Sequence, residues 1–397
     1  MGRLQRGGKT LGEGGEGRVL TLDELRAPLL GVVRVLLGSG EVRLVPARQG
    51  YASRNVGRMV YKESRYGGTE EVRGNVTLLQ RIAQSGRKAA VIMKHASPFV
   101  FEPASGRTPA HFVAAIAVGH DASAAVAYPV YTRMKGDLES FFDTFGETLR
   151  VDDVLNILMS TLHMLTAMKA VHAHHNDVKE ANILYNLDCP RGLDPYHNWS
   201  RCHAKFALSD FGLVMFDADA DASSGMYDGT GGYMSPLMYD RFADFSSRHF
   251  AEHLFPAKKV WASYYGNAQP TRKQVMEKND LYAVGVMLLF FDYDSDRTGR
   301  AKRIRRLAER LVLGRGGIWS VEDAIDEYRS VRQAVGAAGG RTPLPSIFEL
   351  PQSTQSTHTP PVSTRNAGFG TRATAPAVHA ISSSSMVKNK GRRRSLP

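Results

Sequence analysis

Asp177, Lys179, Asn182 and Asp210 are the residues of this chain whose types and spacing could do chemistry together. The first three lie in His175-Asn176-Asp177-Val178-Lys179-Glu180-Ala181-Asn182, the fourth in Asp210-Phe211-Gly212. An aspartate such as Asp177 can accept the proton of a hydroxyl and orient it for attack. Lys179 carries a fixed positive charge two residues on, able to neutralise an anionic reacting group. Asn182 offers a neutral oxygen and Asp210 a carboxylate. That pair suits Mg²⁺, which keeps several waters and needs few protein ligands. Each residue alone has a bland reading, since Asp is common in turns; the signal is their joint order.

These residues need elements that deliver them. Val154, Leu155, Leu158, Met159, Leu162, Leu165 and Met168 recur at helical spacing, so residues 151–173 read as an amphipathic helix ending at the loop. The apolar triplet Ile183-Leu184-Tyr185 follows the loop. Further on come Gly229-Thr230-Gly231-Gly232-Tyr233-Met234-Ser235-Pro236 and Asp280-Leu281-Tyr282-Ala283-Val284-Gly285. Asp280 reads as the start of a buried helix over 281–291. Two more helices are expected over 301–313 and 321–335.

In order and spacing these segments resemble the catalytic half of eukaryotic-type protein kinases, which read H-R-D-x-K-x-x-N, D-F-G, G-T-x-x-Y-x-[A/S]-P-E and D-x-[W/Y]-x-x-G. The resemblance covers about residues 30 to 315. It implies an α+β, two-lobed protein-kinase-like fold with a small β-rich N-lobe and a larger helical C-lobe. It also implies transfer of the ATP γ-phosphoryl group to protein hydroxyls, with Asp177 as base and Asp210 and Asn182 on Mg²⁺. Lys179 goes with the serine/threonine class. By the same resemblance Thr230 would hydrogen-bond Asp177 and Lys179, and Asp280 would hold the loop backbone from below. Small-molecule kinases of similar fold lack that lysine and do not read D-F-G. Two departures stand out. Asn176 replaces the Arg that in the family binds a phosphate on the activation loop, which implies a switch other than phosphorylation there. Leu237 replaces a Glu that pairs with a buried Arg. The alternative is a pseudokinase scaffold that binds partners without catalysis.

The first half of the chain must bring ATP. Val32 to Leu37 reads as a strand, Gly38-Ser39-Gly40 as a turn, Val42 to Val45 as a second strand, and Arg58 to Lys62 as a third. By resemblance Gly38, Ser39, Gly40 and Val45 would cover the nucleotide and Lys62 would meet its α- and β-phosphates. A helix over 69–84, with Val72, Val76, Leu79 and Ile82 on one face, would supply Glu71 to hold Lys62. Glycines let backbone N–H groups close over phosphates. A rival glycine pattern, Gly12-Glu13-Gly14-Gly15-Glu16-Gly17-Arg18-Val19, is set second because Arg3 to Lys9 makes a poor strand. A rival lysine, Lys94, is set second because no helix with a partner carboxylate follows it. Two apolar runs, 112–118 and 124–131, read as a strand pair leading to the hinge, where Met134 and Asp137 would meet adenine and ribose. Asp137 also reads as a helix N-cap.

The remaining composition bounds the setting. The chain has 397 residues, 43% hydrophobic, with formal net charge +12. Seven Lys/Arg and no acid fall in residues 351–397, so much of the excess is a basic tail, read as a solvated peptide or a nuclear address rather than a nucleic-acid surface. The two cysteines, Cys189 and Cys202, rule out a disulfide framework as the basis of the fold and suit a reducing compartment. With His197 and His203 they invite a zinc reading, but the spacing matches no standard finger and a surface insertion is the better reading. No apolar run approaches the ~18 residues of a membrane span, and the N-terminus lacks a signal-peptide core. The expectation is a soluble intracellular protein, cytoplasmic or nuclear, acting on protein substrates. Its expected divisions are a Gly-rich leader (1–30), N-lobe (31–134), C-lobe (135–335, with an insert at 186–204) and a disordered Ser/Thr/Pro-rich tail (336–397).

Overall fold

The computed structural model describes residues 10–14, 17–21, 29–36, 41–45, 59–64, 69–84, 117–121, 126–146, 149, 151–193, 202–219, 229–249, 256–264, 270–290 and 300–337. The architecture is mixed α+β with antiparallel sheets. The first strands are β1 (Thr10–Gly14), β2 (Gly17–Thr21), β3 (Leu29–Leu36), β4 (Glu41–Val45) and β5 (Met59–Ser64). After helix α1 (Thr69–Gln84) come β6 (Ala117–Asp121) and β7 (Val126–Thr132). These seven strands form one sheet in the order β1-β2-β5-β7-β6-β3-β4.

That order corrects the expected strand arrangement. The β3–β4 pair, framing Gly38-Ser39-Gly40, is separated from the Lys62 strand by β7 and β6. The hairpin that lies beside Lys62 is β1–β2, with Val19 opposite Lys62. Its glycines are part of the hairpin itself: Gly14 faces Gly17 where the two strands close. The nucleotide reading of Gly38, Ser39, Gly40 and Val45 thus loses the neighbour it was argued from. Residues 38–40 themselves, and the Val45 side chain, lie outside the described residues, as does Lys94.

Helix α1 has the expected bounds, and Val72, Val76 and Leu79 are buried on its inner face. The expected pair 112–118 and 124–131 is observed as β6 and β7, shifted a few residues toward the C-terminus. After β7 the chain makes β8 (Gly136–Asp137), α2 (Leu138–Phe145), α3 (Val151–Ala170) and β9 (Ala173–His174). Then follow β10 (Ile183–Asp188), β11 (His203–Leu208) and β12 (Met215–Phe216). Strands β11-β10-β8 form a second sheet, and β12 pairs with β9. The helices α4 (Phe242–Ser246), α5 (Ala257–Tyr264), α6 (Arg272–Leu289), α7 (Arg300–Val312) and α8 (Val321–Ala337) complete the described fold. Among the described residues no helix is long and apolar enough to cross a membrane.

The main core joins α3, α6, α7 and α8 through residues such as Leu158, Leu162, Val284, Ile304 and Leu311, with Leu237 packed against it. Helix α6 is buried from Met276 to Leu289, and Asp280 sits at its middle rather than its start. Four consecutive buried residues there are polar: Glu277, Lys278, Asn279 and Asp280. Each serves a different element. Glu277 accepts from Lys169 Nζ at 2.6 Å and from Val321 N–H at 2.8 Å, tying α3 to α8. Lys278 donates to the Leu311 and Ile318 carbonyls, both at 2.7 Å, and lies over the Tyr264 and Trp319 rings. Asn279 and Asp280 reach the functional loops described below.

Cys189 and Cys202 are joined, with Cα atoms 4.2 Å apart. Sequence reasoning did not foresee this bond, and sulfurs bonded to each other cannot serve as zinc ligands. The bond closes the far end of the β10–β11 hairpin, one residue beyond the Asp188–His203 pair. Closing a loop of 13-residue separation restricts the unfolded chain by about 3 kcal/mol. Urea unfolding with and without dithiothreitol should show a loss of about 2–3 kcal/mol on reduction; an unchanged midpoint would mean the bond contributes nothing.

Candidate functional site

The loop from His175 to Asn182 is fixed from below. The buried Asp280 carboxylate accepts from the His175 N–H at 2.9 Å and the Asn176 N–H at 2.8 Å. Burial raises the Asp280 pKa, against the pull of His174, His175 and the two N–H donors. Held this way, Asn176 adopts φ 61°, a left-handed conformation that Asn tolerates better than most residues. His175 Nε2 meets the Ser209 carbonyl at 2.8 Å, and its ring packs edge-on against Phe211. The catalytic-loop candidate and the Asp210 turn are therefore joined through one imidazole.

Asp177 is the centre of the network and is buried. Its Oδ1 accepts from the Thr230 N–H at 3.0 Å and the Thr230 hydroxyl at 2.6 Å. Its Oδ2 accepts from Lys179 Nζ and from Asn182 Nδ2, both at 2.8 Å. Burial pushes its pKa up, but Lys179, Thr230 and His175 together outweigh that and lower it. The group is an ionised, oriented carboxylate. Thr230 makes both bonds expected of it, reaching Lys179 Nζ at 2.6 Å as well.

Strands β10 and β11 set the second pair. Asn182 immediately precedes β10, and Ser209-Asp210 immediately follow β11; Ser209 donates to the Asn182 carbonyl through N–H at 2.8 Å and Oγ at 3.0 Å. Asn182 commits its amide nitrogen to Asp177, at 2.7 Å to the carbonyl as well as to the carboxylate. That leaves the amide oxygen as the atom to offer a cation. Asp210, at φ 62°, accepts from Lys62 Nζ at 2.9 Å through one carboxylate oxygen. These hard oxygens are the donor type Mg²⁺ takes. Among the described residues no group of three or more His, Cys, Asp or Glu could hold a metal; a site of one amide and one carboxylate is of another kind.

The structure thus brings Asp177, Lys179, Asn182, Asp210 and Lys62 together. Glu71 lies on α1, three residues before Gly74, with its side chain outside the described residues. Gly74 is where α1 touches the Asp210 turn: a methyl group there would stand 2.0 Å from the Phe211 carbonyl oxygen. Asp137 caps α2, its carboxylate accepting from the Ser140 N–H at 2.8 Å. Met134 packs with Val19, Val60, Tyr131, Leu184 and Ala207. Five strands or strand ends thereby form an apolar cluster between the large sheet and the β10–β11 hairpin. Apart from Met134, sequence reasoning missed this cluster; alternation in β2, β5 and β10 was the signal.

Sequence reasoning did not single out Asp217. It follows β12 and ties it down. Its Oδ1 accepts from His174 Nε2 at 2.9 Å, and its Oδ2 from His172 Nδ1 at 3.0 Å and Lys273 Nζ at 2.7 Å. Glu180 is also buried, with the Tyr233 hydroxyl donating to it. Burial raises its pKa to about 7.

Burial would raise the Asp217 pKa too, but Lys273, His174 and His172 hold it down at about 2, against an ordinary 3.8. A depressed acid contributes stability that is present above pH about 4 and fades as pH falls toward 2. At neutral pH this contribution is roughly 2 kcal/mol. Asp217→Asn should therefore lower stability by about that much at pH 7, and the gap to wild type should start to shrink below about pH 4 and close near pH 2, as read by urea unfolding at stepped pH. A gap independent of pH would remove the ionic account.

A scan against protein-family models and a search of curated proteins return no match to this chain.

Proposed function

We propose that the chain is a protein kinase that transfers the γ-phosphoryl group of ATP to serine or threonine hydroxyls. The observation that carries the reading is the single Asp177 carboxylate held by Lys179, Asn182 and Thr230, with Lys62 drawn to Asp210 from 148 residues away in sequence. Such a carboxylate is aimed and ionised, ready to accept a hydroxyl proton. Asn182 and Asp210 are the residues that would hold Mg²⁺, which when bound would supply positive charge against the phosphates. Lys62 would then turn from Asp210 toward phosphate, with Glu71 as its holder on α1.

Further support comes from the sheet. With β3 and β4 set aside as an edge addition, the order β1-β2-β5-β7-β6 has a glycine hairpin next to the lysine strand. In this reading Gly12 to Gly17, not Gly38 to Gly40, covers the phosphates. The apolar cluster of Val19, Val60, Met134, Leu184 and Ala207 suits adenine. The sheet with α1 is the small lobe, and the helical part from Gly136 onward the large one.

The reading includes independence from activation-loop phosphorylation. Asn176 carries no charge to meet a phosphate, and its side chain makes a long 3.5 Å contact to the Leu213 carbonyl. Asp217 supplies the fixed negative charge that ties the segment after Phe211 to His172, His174 and Lys273.

A second reading, a scaffold without catalysis, rests on the same Lys62–Asp210 ion pair, which could close the site internally. Labelled ATP with a mixed peptide library, wild type beside Asp177→Asn, separates the two. We expect transfer by the wild type and a fall of about 10²- to 10⁴-fold in the variant, with ATP binding kept. Full activity in the variant would remove Asp177 from its role; none in the wild type, with nucleotide bound, would favour the scaffold.

A further inference from the structure

The formal net charge of +12 is concentrated in two places. Residues 351–397 hold seven cations and no acid. Helix α7 holds Arg300, Lys302, Arg303, Arg305, Arg306 and Arg310 against a single acid, Glu309. These two segments carry the whole excess between them, and the rest of the chain is neutral overall. A basic tail alone reads as a solvated peptide. The second concentration lies on a folded helix and has a defined surface.

Helix α7 sorts its residues by face. Ala301, Ile304, Leu307, Ala308, Leu311 and Val312 are all buried. At 100° per residue, Lys302, Arg303, Arg306 and Arg310 fall within about 100° of arc on the other side, and all four are exposed. Arg310 pairs with Glu327 of α8, and Arg305 meets Glu309 at 3.4 Å along the edge of the stripe. The remaining acids at the start of α8 are engaged elsewhere: Glu322 with Lys169, Asp323 with Ser320 and Asp326 with Arg329. Lys302, Arg303 and Arg306 make no ion pair among the described residues. Like charges three and four residues apart on a helix repel one another, so this row does not serve the stability of α7.

We propose that the outer face of α7 binds a nucleic-acid duplex through its phosphates. Two observations favour a duplex over an acidic protein. The first is that the stripe offers no apolar anchor. Every apolar residue of α7 is turned inward, and Phe242 on α4 is the one large hydrophobic residue exposed among the described residues. Protein partners draw most of their affinity from buried anchors, and exposed ion pairs alone are weak. The second is charge density. From Lys302 to Arg310 the stripe runs about 12 Å. A duplex presents about seven charges over that length, whereas an extended acidic peptide turns about two carboxylates to one face. Neutralising phosphates also releases condensed counterions, a driving force that isolated surface pairs lack. A paired strand is favoured over a single one because α7 has no aromatic residue on which bases could stack. The seven cations after residue 351 add to the attraction for the same polyanion. None of these residues belongs to the Asp177 site, so the proposal stands apart from the phosphotransfer reading.

Fluorescence anisotropy of the full chain with a short labelled DNA duplex of mixed sequence, over a salt series, tests this. The wild type should bind at low salt, with log K falling linearly against log salt concentration. Lys302→Gln/Arg303→Gln/Arg306→Gln should make that slope shallower by about 2.7 and weaken low-salt binding at least about tenfold. Arg306→Gln alone should make it shallower by about 0.9, and this single exposed change reads the same effect without burdening the helix. Arg303→Lys/Arg306→Lys keeps the charge and should bind within about threefold of wild type. No binding by the wild type at low salt would overturn the proposal. So would an unchanged slope in the α7 variants with binding lost only in Arg392→Gln/Arg393→Gln/Arg394→Gln, which would assign the duplex to the tail. Equal competition by a glutamate-rich peptide of the same total charge would point to an acidic protein instead and overturn it too.

Discussion

Four polar side chains in a row, Glu277 to Asp280, are buried in the middle of α6, and each must find a partner or destabilise the helix that carries it. That constraint organises the molecule. A helix turns 100° per residue, so four consecutive side chains leave it in four directions. Glu277 collects α3 and α8, Lys278 the end of α7, Asn279 the segment at Ser235, and Asp280 the loop at His175. A buried polar group left unpaired costs on the order of 1–3 kcal/mol, so displacing any one of these elements strands a group in the core.

From Asp280 the constraint passes outward. The carboxylate sets the backbone at His175 and Asn176; His175 spans to Ser209; the β10–β11 ladder holds Asn182 and Asp210 at its near end. Asp210 then reaches Lys62 on the large sheet. Each link is a short hydrogen bond or a strand pair, and each is either buried or part-buried. The Cys189–Cys202 bond lies at the opposite end of the same hairpin, six residue pairs from Asn182. It stiffens the hairpin without touching the groups that would react. Lys278 does separate work: it anchors the end of α7.

Much of the site was legible in sequence because its residues act at short range. Asp177, Lys179 and Asn182 share one loop, whereas Thr230 and Asp280 were legible only through the resemblance of their segments to those of kinases. Helix α1 was legible to the residue because its apolar face repeats cleanly. The strand order was not. Two glycine turns compete for the place beside Lys62, and what separates them is the long-range pairing of β2 with β5, for which local pattern holds no signal. The residues that sequence reasoning passed over are titratable side chains that the fold buries or half-buries. Glu180, Lys278 and Asp217 look like solvated side chains until the fold supplies Tyr233, two carbonyls, and a pair of histidines with Lys273. Two cysteines 13 apart say equally little until β10 and β11 bring them face to face.

In the kinase reading proposed above, Lys62, Asp210 and Asn182 would form a nucleotide–metal site over Asp177. Calorimetric titration of ATP into the wild type and Asp210→Asn, each with and without Mg²⁺, tests it directly. The account predicts that the wild type binds ATP at least about tenfold more tightly with Mg²⁺, and that Asp210→Asn abolishes this dependence. ATP binding indifferent to Mg²⁺ in the wild type, or a Mg²⁺ dependence that survives in Asp210→Asn, would contradict it.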